Sequence, residues 1–142
     1  LDMRQVKEKG FRPEEFYINL VEYKEMVLEI FYFILDNLDG CILFHCQAGK
    51  DRTGILAMLL LGLCGVSKED ILANYQVSHT YLKDHVELHI HDGLEELEYS
   101  RPEWMEAAYD HVLDKYGTFR AYFLAVGLTK KEIRKIRQKM IV

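Results

Sequence analysis

The residues best suited to catalysis are a cysteine and an arginine six positions later, joined by a glycine-containing segment. They lie in the run His45-Cys46-Gln47-Ala48-Gly49-Lys50-Asp51-Arg52-Thr53-Gly54. An apolar tetrapeptide precedes this run and an apolar helical stretch follows it, which predicts a strand, a tight loop and a helix. Backbone N–H groups in such a loop converge at the N-terminus of the helix, where they can bind an anion.

A thiol in this position has the properties of a nucleophile. The N–H groups, the helix dipole and Arg52 stabilise the thiolate of Cys46, so its pKa is expected to lie below the ordinary value of about 8.5. The planar guanidinium of Arg52 can bind two phosphate oxygens and stabilise charge in the transition state. Attack of Cys46 on phosphorus would form a phosphocysteine that water then hydrolyses. The residue types therefore predict hydrolysis of phosphate esters, with Cys46 and Arg52 as catalytic residues.

The other residues of the loop have predicted supporting roles. Gly49 permits the sharp turn, and the hydroxyl of Thr53 can donate a hydrogen bond to the thiolate. Lys50 either adds a second positive charge at the mouth of the site or is a solvated loop lysine. His45 is expected to orient the backbone of the cysteine or to lower its pKa. The predicted phosphate-binding residues are Gln47, Ala48, Gly49, Lys50 and Thr53, with His45 and Gly54 supporting them.

Several helices and one strand must position this loop. A helix is predicted to begin at Pro13, because proline and acidic residues favour the first turn, and apolar residues continue at helical spacing to Ile34. The strand is Cys41-Ile42-Leu43-Phe44, which is apolar on both faces, as in the covered strands of a parallel sheet. The helix after the loop spans about residues 53–64. Further helices are predicted from capping patterns that begin at Ser67, Ser100 and Thr129.

A single strand leaves its own backbone hydrogen bonds unexplained. Each buried backbone group without a partner costs about 1–3 kcal/mol, and no other segment of this chain has a clear strand pattern. We therefore expect that partner strands for Cys41–Phe44 lie upstream, in a longer parent chain.

Composition limits the possible classes of protein. The 142 residues suffice for one domain, and 18 basic against 23 acidic residues leave a net charge of −5, which argues against nucleic acid as a partner. Three cysteines do not make a disulfide framework, so a reducing, cytoplasmic location is expected, although the sequence leaves open whether a parent protein is secreted. No apolar run reaches the roughly 20 residues of a transmembrane helix, and nothing indicates the oligomeric state.

One cluster of histidines raises the question of a metal. His85 and His89 are four residues apart, a spacing found in metal sites, and His79 and His91 lie nearby. No cysteine or third well-spaced ligand completes a set, and a solvated helix is the favoured alternative. We predict neither a metal nor an organic cofactor, because the loop and Arg52 supply the charge that the reaction needs.

The run from His45 to Gly54 resembles the phosphate-binding signature of the cysteine-dependent protein tyrosine phosphatases. Its Lys-Asp-Arg-Thr-Gly portion is most similar to a bacterial and fungal tyrosine/serine phosphatase group, whose members include phosphoinositide-active enzymes. Residues 65–71, Tyr81-Leu82 and Tyr116-Gly117-Thr118 are similar to the helical C-terminal half of that group.

The resemblance implies a fold, a substrate and a reaction. The fold is α/β, a parallel sheet flanked by helices, and its first strands precede the stretch seen here. Residues 1–142 would then form a single phosphatase domain, mostly its helical C-terminal half, without the N-terminal strands. The implied substrate is a phosphorylated protein, carrying phosphotyrosine, phosphoserine or phosphothreonine, or else a phosphoinositide. A phosphate-recognition module without catalysis is the alternative function.

The resemblance also implies a proton donor. In the group that the chain resembles, the aspartate of the signature is the general acid, and that residue is Asp51 here. A carboxylic acid beside the phosphate can protonate the leaving oxygen if its pKa is raised, whereas the neighbouring Arg52 would lower that pKa. Water or an upstream residue is the alternative donor.

Overall fold

The structure is a computed structural model that describes residue 10, residues 12–82 and residues 100–141. Those residues form seven α-helices and no strand. The helices are α1 (Pro13–Glu22), α2 (Lys24–Asp36), α3 (Asp51–Leu63), α4 (Lys68–Leu82), α5 (Pro102–Tyr116), α6 (Phe119–Val126) and α7 (Lys130–Met140). The described part of the chain is thus helical, as expected for the C-terminal half of the predicted fold.

The first predicted helix is divided in two. α1 begins at Pro13 with two acidic residues in its first turn, as predicted. It ends at Glu22, because the following residue, Tyr23, has a ψ of 67° that is not helical, and α2 begins at Lys24. The break allows α1 and α2 to bury separate faces, Tyr17 and Val21 on the first and Val27, Phe31 and Ile34 on the second.

The hydrophobic core lies where α5 and α6 meet the first three helices. Tyr17 of α1 packs against Trp104 of α5, with ring centroids 6.1 Å apart. Phe31 of α2 packs against Phe123 of α6 at 4.6 Å. Gly62 of α3 lies against a buried ring of α6, since a Cβ atom there would come within 2.5 Å of Phe119. This close approach brings α3, which follows the loop, onto the helical core.

Local capping signals largely set the helix ends. Gly117 ends α5 with a φ of +85°, and Thr129 forms a capping box with Glu132 at the start of α7. The hydroxyl of Ser67 accepts the N–H of Asp70 at 3.1 Å. The helix predicted after Ser100 is present as α5, but Ser100 does not cap it, because Arg101 is the N-cap and Ser100 is buried before it. Proline at the first position of α5 sets that helix start instead.

One carboxylate connects α1 to α5. Glu22, the last residue of α1, accepts hydrogen bonds from His111 Nε2 at 2.7 Å and from the hydroxyl of Tyr116 at 2.9 Å, and it pairs with Lys115 at 3.0 Å. Burial alone would raise the pKa of Glu22, but these donors lower it to about 2. The carboxylate is therefore ionised at neutral pH and anchors α1 on α5.

The predicted strand is not part of a sheet in the described residues. Residues 41–46 have no regular secondary structure, and Leu43 is 88% exposed. Cys41 is exposed as well, although an apolar central strand would have buried it. A strand needs a hydrogen-bonded neighbour, and the described residues contain none, so the expected sheet is absent from this part of the chain.

Lys139 of α7 holds the turn that leads into this segment. Its ammonium group donates to the carbonyl oxygens of Leu38 at 2.8 Å and Gly40 at 2.5 Å. These bonds satisfy carbonyl groups that follow the end of α2. The start of the segment before the loop is therefore fixed even though the segment itself has no sheet partner in the described residues.

No helix within residues 12–82 and 100–141 combines the length and the apolar composition that crossing a bilayer requires.

Candidate active site

The loop between residue 46 and α3 has the predicted shape. Gly49 has a φ of +67°, in the left-handed region that favours glycine. Lys50 is the N-cap of α3, so the helix begins at Asp51, two residues earlier than the sequence predicted. The carbonyl oxygen of Lys50 accepts the N–H of Gly54 at 2.9 Å, which closes the first turn. The cysteine thus precedes a helix N-terminus by one tight turn.

The thiol of Cys46 lies at the centre of this turn. Burial alone would raise its pKa. The hydroxyl and the N–H group of Thr53 and the N–H groups of Gly49 and Lys50 stabilise the thiolate, and together they lower the pKa of Cys46 to about 7. A large share of the thiol is therefore ionised at neutral pH, which is what a nucleophilic cysteine requires. The Thr53 hydroxyl is buried and has no hydrogen-bond partner among the described residues.

Cys46 and Arg52 line one cavity. It has a volume of about 450 Å³, and His45 and Thr53 also contribute to its wall. The rest of the wall is apolar and comes from α1, α2, α3 and residues 42–44. Arg52 is exposed to solvent, so its guanidinium is available to an anion that enters beside the thiolate.

Lys50 and Asp51 lie on another side of the loop. Lys50 is 1% exposed, its ammonium is 2.5 Å from Asp51 Oδ1, and it lies over the ring of Trp104 at 5.6 Å. The hydroxyl of Tyr17 also donates to Asp51 Oδ1. Neither Lys50 nor Asp51 is among the described residues that line the cavity of Cys46. The sequence placed the Lys50 charge at the mouth, whereas the structure buries it against a carboxylate and an aromatic ring.

The remaining predicted residues surround the loop. The Nδ1 atom of His45 lies 3.3 Å from the carbonyl oxygen of Cys46. Gln47 is exposed and Ala48 is partly buried. A Cβ atom on Gly54 would come within 3.1 Å of Met105 and 3.2 Å of Tyr75, so a glycine here lets α3 approach α4 and α5 closely.

Three aromatic residues beside the loop were not predicted from the sequence. Tyr17, Tyr75 and Trp104 come from α1, α4 and α5, and all three are buried. Each occupies a core-facing position on its helix, so its place in the apolar pattern of the sequence does not distinguish it from an ordinary core residue. Only the fold shows that their polar atoms and ring faces meet Lys50 and Asp51.

Metal ligation finds no support in residues 12–82 and 100–141, where no three His, Cys, Asp or Glu side chains are placed to hold an ion together. The predicted pair of His85 and His89, together with His91, lies outside the described residues. The side chain of His79 is likewise not described.

We expect Thr53→Val to raise the pKa of the Cys46 thiol from about 7 toward the ordinary value of about 8.5. Valine keeps the shape of threonine but removes the hydroxyl that stabilises the thiolate. Iodoacetamide alkylation of Cys46 would then slow at pH 7 and recover at higher pH. Peptide-resolved mass spectrometry separates Cys46 from the other free cysteines, Cys41 and Cys64.

The matched control is Thr80→Val, on an exposed position of α4 away from the loop. Its alkylation midpoint should equal that of the unmodified protein. If Thr53→Val also left the midpoint unchanged, the hydroxyl would not stabilise the thiolate.

The chain is similar in sequence to known proteins of one family. A profile of the tyrosine phosphatase family matches residues 2–142. The chain is 35% identical over 126 residues to a tyrosine-protein phosphatase of Nostoc commune, covering 79% of this chain and 43% of that protein. A 38-residue stretch is 63% identical to a Cupriavidus necator protein named "putative tyrosine-protein phosphatase", covering 27% of this chain and 14% of that protein. The chain thus spans less than half the length of either relative. On the family profile and the Nostoc relative, the chain belongs to the tyrosine phosphatase family.

Proposed function

We propose that the protein hydrolyses phosphate monoesters through a phosphocysteine on Cys46. The observation that carries this proposal is the lowered pKa of a thiol that shares one cavity with an exposed arginine. A thiolate beside a guanidinium and inward N–H groups matches the charge of a phosphoryl group under attack. Membership of the tyrosine phosphatase family supports the same reaction.

The first step transfers the phosphoryl group to sulfur. The thiolate of Cys46 attacks phosphorus, an S–P bond forms, and the bond between phosphorus and the ester oxygen breaks. Arg52 binds two of the non-bridging oxygens, and the N–H groups of the loop donate hydrogen bonds to the non-bridging oxygens as well. The residues around this phosphoryl position are Gln47, Ala48, Gly49, Lys50 and Thr53, mainly through their backbone.

The leaving oxygen takes its proton from Asp51 in this proposal. Two described residues, Tyr17 and Lys50, contact the carboxylate, and both contacts are made to Oδ1. Oδ2 has no hydrogen bond to the residues that the structure describes, so it is the oxygen that can carry a proton. Asp51 does not line the cavity of Cys46 in the structure, so this role requires that the carboxyl group meets the leaving oxygen once substrate is bound.

The second step returns the enzyme to its initial state. Asp51, now a carboxylate, removes a proton from water, and the water oxygen attacks phosphorus while the S–P bond breaks. The products are inorganic phosphate and the Cys46 thiolate. The hydroxyl of Thr53 stabilises that thiolate as it leaves, because it is one of the groups that lower the pKa of Cys46.

A phosphorylated protein, with phosphotyrosine foremost, is the proposed substrate. The burial of Lys50 supports this choice over a phosphoinositide. Its charge is paired with Asp51, so it adds little attraction for a second phosphate. The reaction needs a reduced thiolate, which supports action in a reducing compartment such as the cytoplasm.

A partner strand for residues 41–44 is part of the proposal. We infer that sequence outside residues 1–142 pairs with this segment and builds the sheet of an α/β phosphatase domain. The exposed side chains of Leu43 and Phe44, and the lack of a hydrogen-bonded strand partner among residues 12–82 and 100–141, support this inference. In the full-length protein we expect the amides of residues 42–44 to exchange hydrogen as slowly as those of α3. Exchange at the rate of an exposed loop would contradict it.

The direct test of the function is an assay with an aryl phosphate on the full-length protein. We expect release of phosphate and inhibition by vanadate, a phosphate analogue that binds the same loop. A phosphoinositide and phosphotyrosine, phosphoserine and phosphothreonine peptides complete the panel. Binding of vanadate without any turnover would instead indicate a non-catalytic phosphate-recognition module.

A further inference from the structure

Two buried tyrosine hydroxyls form a chain that ends on Asp51. The hydroxyl of Tyr17 donates to Asp51 Oδ1, and the oxygen atoms of Tyr17 and Tyr75 are 2.5 Å apart. A phenol has one proton to donate. Because Tyr17 gives its proton to the carboxylate, Tyr75 must donate to the oxygen of Tyr17. The direction of the chain is therefore from Tyr75 to Tyr17 to Asp51.

Both tyrosines keep their protons at any physiological pH. Burial, followed by the negative charge of Asp51, raises the pKa of Tyr17. Burial is also the main cause that raises the pKa of Tyr75. The rings lie 5.9 Å apart in an edge-to-face arrangement, and both are buried. The chain is thus a fixed pair of donors.

Packing alone does not require these hydroxyls. Phenylalanine would fill nearly the same volume among Tyr17, Tyr75 and Trp104, and a buried hydroxyl costs about 1–3 kcal/mol unless it is hydrogen-bonded. Here the hydroxyls meet a carboxylate at the first position of α3, one residue from Arg52. The position of the two hydroxyls therefore indicates that their role is to orient the carboxylate of Asp51.

We propose that Tyr17 is a positioning residue for the reaction, holding Oδ1 of Asp51 so that Oδ2 is left to carry the proton for the leaving oxygen, and that Tyr75 orients the hydroxyl of Tyr17. This inference rests on the proposed function and extends it from the loop to α1 and α4. Lys50 holds the same oxygen from the other side at 2.5 Å. Two donors on one carboxylate oxygen restrict rotation of the carboxylate group.

The test uses leaving groups of different basicity in the full-length protein. A general acid matters most when the leaving phenolate is strongly basic and least when nitro groups stabilise it. We expect Tyr17→Phe to lower kcat for phenyl phosphate by about tenfold, and for a dinitrophenyl phosphate by less than about twofold. KM should stay unchanged for both, because the hydroxyl does not contact substrate.

Tyr122→Phe is the matched control. Tyr122 is buried in the same core, and its hydroxyl donates to the carbonyl oxygen of Val21 at 2.8 Å, far in the sequence from the loop. This variant also loses one buried hydrogen bond, but it should keep the leaving-group dependence of the unmodified protein. Tyr75→Phe should show the pattern of Tyr17→Phe more weakly, and it remains informative if Tyr17→Phe fails to fold.

Asp51→Asn completes the design. It should lower kcat for phenyl phosphate by about 10²-fold and kcat for the dinitrophenyl phosphate far less. Adding Tyr17→Phe to Asp51→Asn should cause no further loss of kcat. If Tyr17→Phe and Tyr75→Phe had the same leaving-group dependence as Tyr122→Phe, the inference would be overturned and the phosphatase function would remain. The same conclusion would follow if Asp51→Asn showed no selective loss with phenyl phosphate. An inactive full-length protein would overturn the function itself, and the inference with it.

Discussion

Cys46→Ser is expected to lower kcat for an aryl phosphate by at least about 10⁴-fold. A serine hydroxyl is not ionised at neutral pH, so the N–H groups that stabilise the thiolate of Cys46 have no anion to act on. The change replaces the sulfur atom by a smaller and less polarisable oxygen atom, so the volume of the side chain changes little. Steady-state kinetics on the full-length protein would measure the loss.

Binding separates this effect from misfolding. The serine variant should still bind vanadate or phosphate, because Arg52 and the loop remain, and its thermal midpoint should stay close to that of the unmodified protein. Cys64→Ser is the matched control, since this thiol lies at the other end of α3 and burial raises its pKa. If Cys46→Ser kept most of the activity, the nucleophile would have to be another group.

Arg52→Lys is expected to lower kcat by about 10³-fold. Lysine keeps the positive charge but cannot hold two phosphate oxygens with one planar group. Loss of the second contact matters most in the transition state, where charge on the phosphoryl oxygens is greatest. The variant should therefore lose kcat more than it loses affinity for substrate, which full kinetic curves would show.

Arg120→Lys provides the comparison for this variant. Arg120 is an exposed arginine on α6, and the same substitution there should leave kcat within about twofold, as surface changes usually do. Equal activity of Arg52→Lys and Arg120→Lys would mean that Arg52 contributes charge alone, and the two-oxygen contact would be wrong.

Local signals explain which parts of the fold were predictable. Proline and acidic residues at the start of α1 and the Thr129 capping box of α7 act within four residues of chain, so the sequence alone contains them. The loop glycine, Gly49, is equally local, because its positive φ is demanded by the turn. Such features do not depend on what packs around them.

Features that depend on distant residues were not predictable. Burial of Lys50 requires Trp104, which lies 54 residues away and reaches the loop only when α5 packs on α1. The hydroxyl of Tyr17 meets Asp51 across 34 positions. The segment Cys41–Phe44 has the composition of a strand, but a strand exists only when another pairs with it, and no partner lies in the described residues.

The most direct test of the mechanism is to trap the intermediate. The full-length protein would be mixed with an aryl phosphate, quenched rapidly in denaturant and digested for mass spectrometry. We predict one phosphoryl group on the peptide that contains Cys46, attached to sulfur and absent in Cys46→Ser. Turnover with no phosphoryl group on Cys46, or with the group on another residue, would contradict the proposed nucleophile.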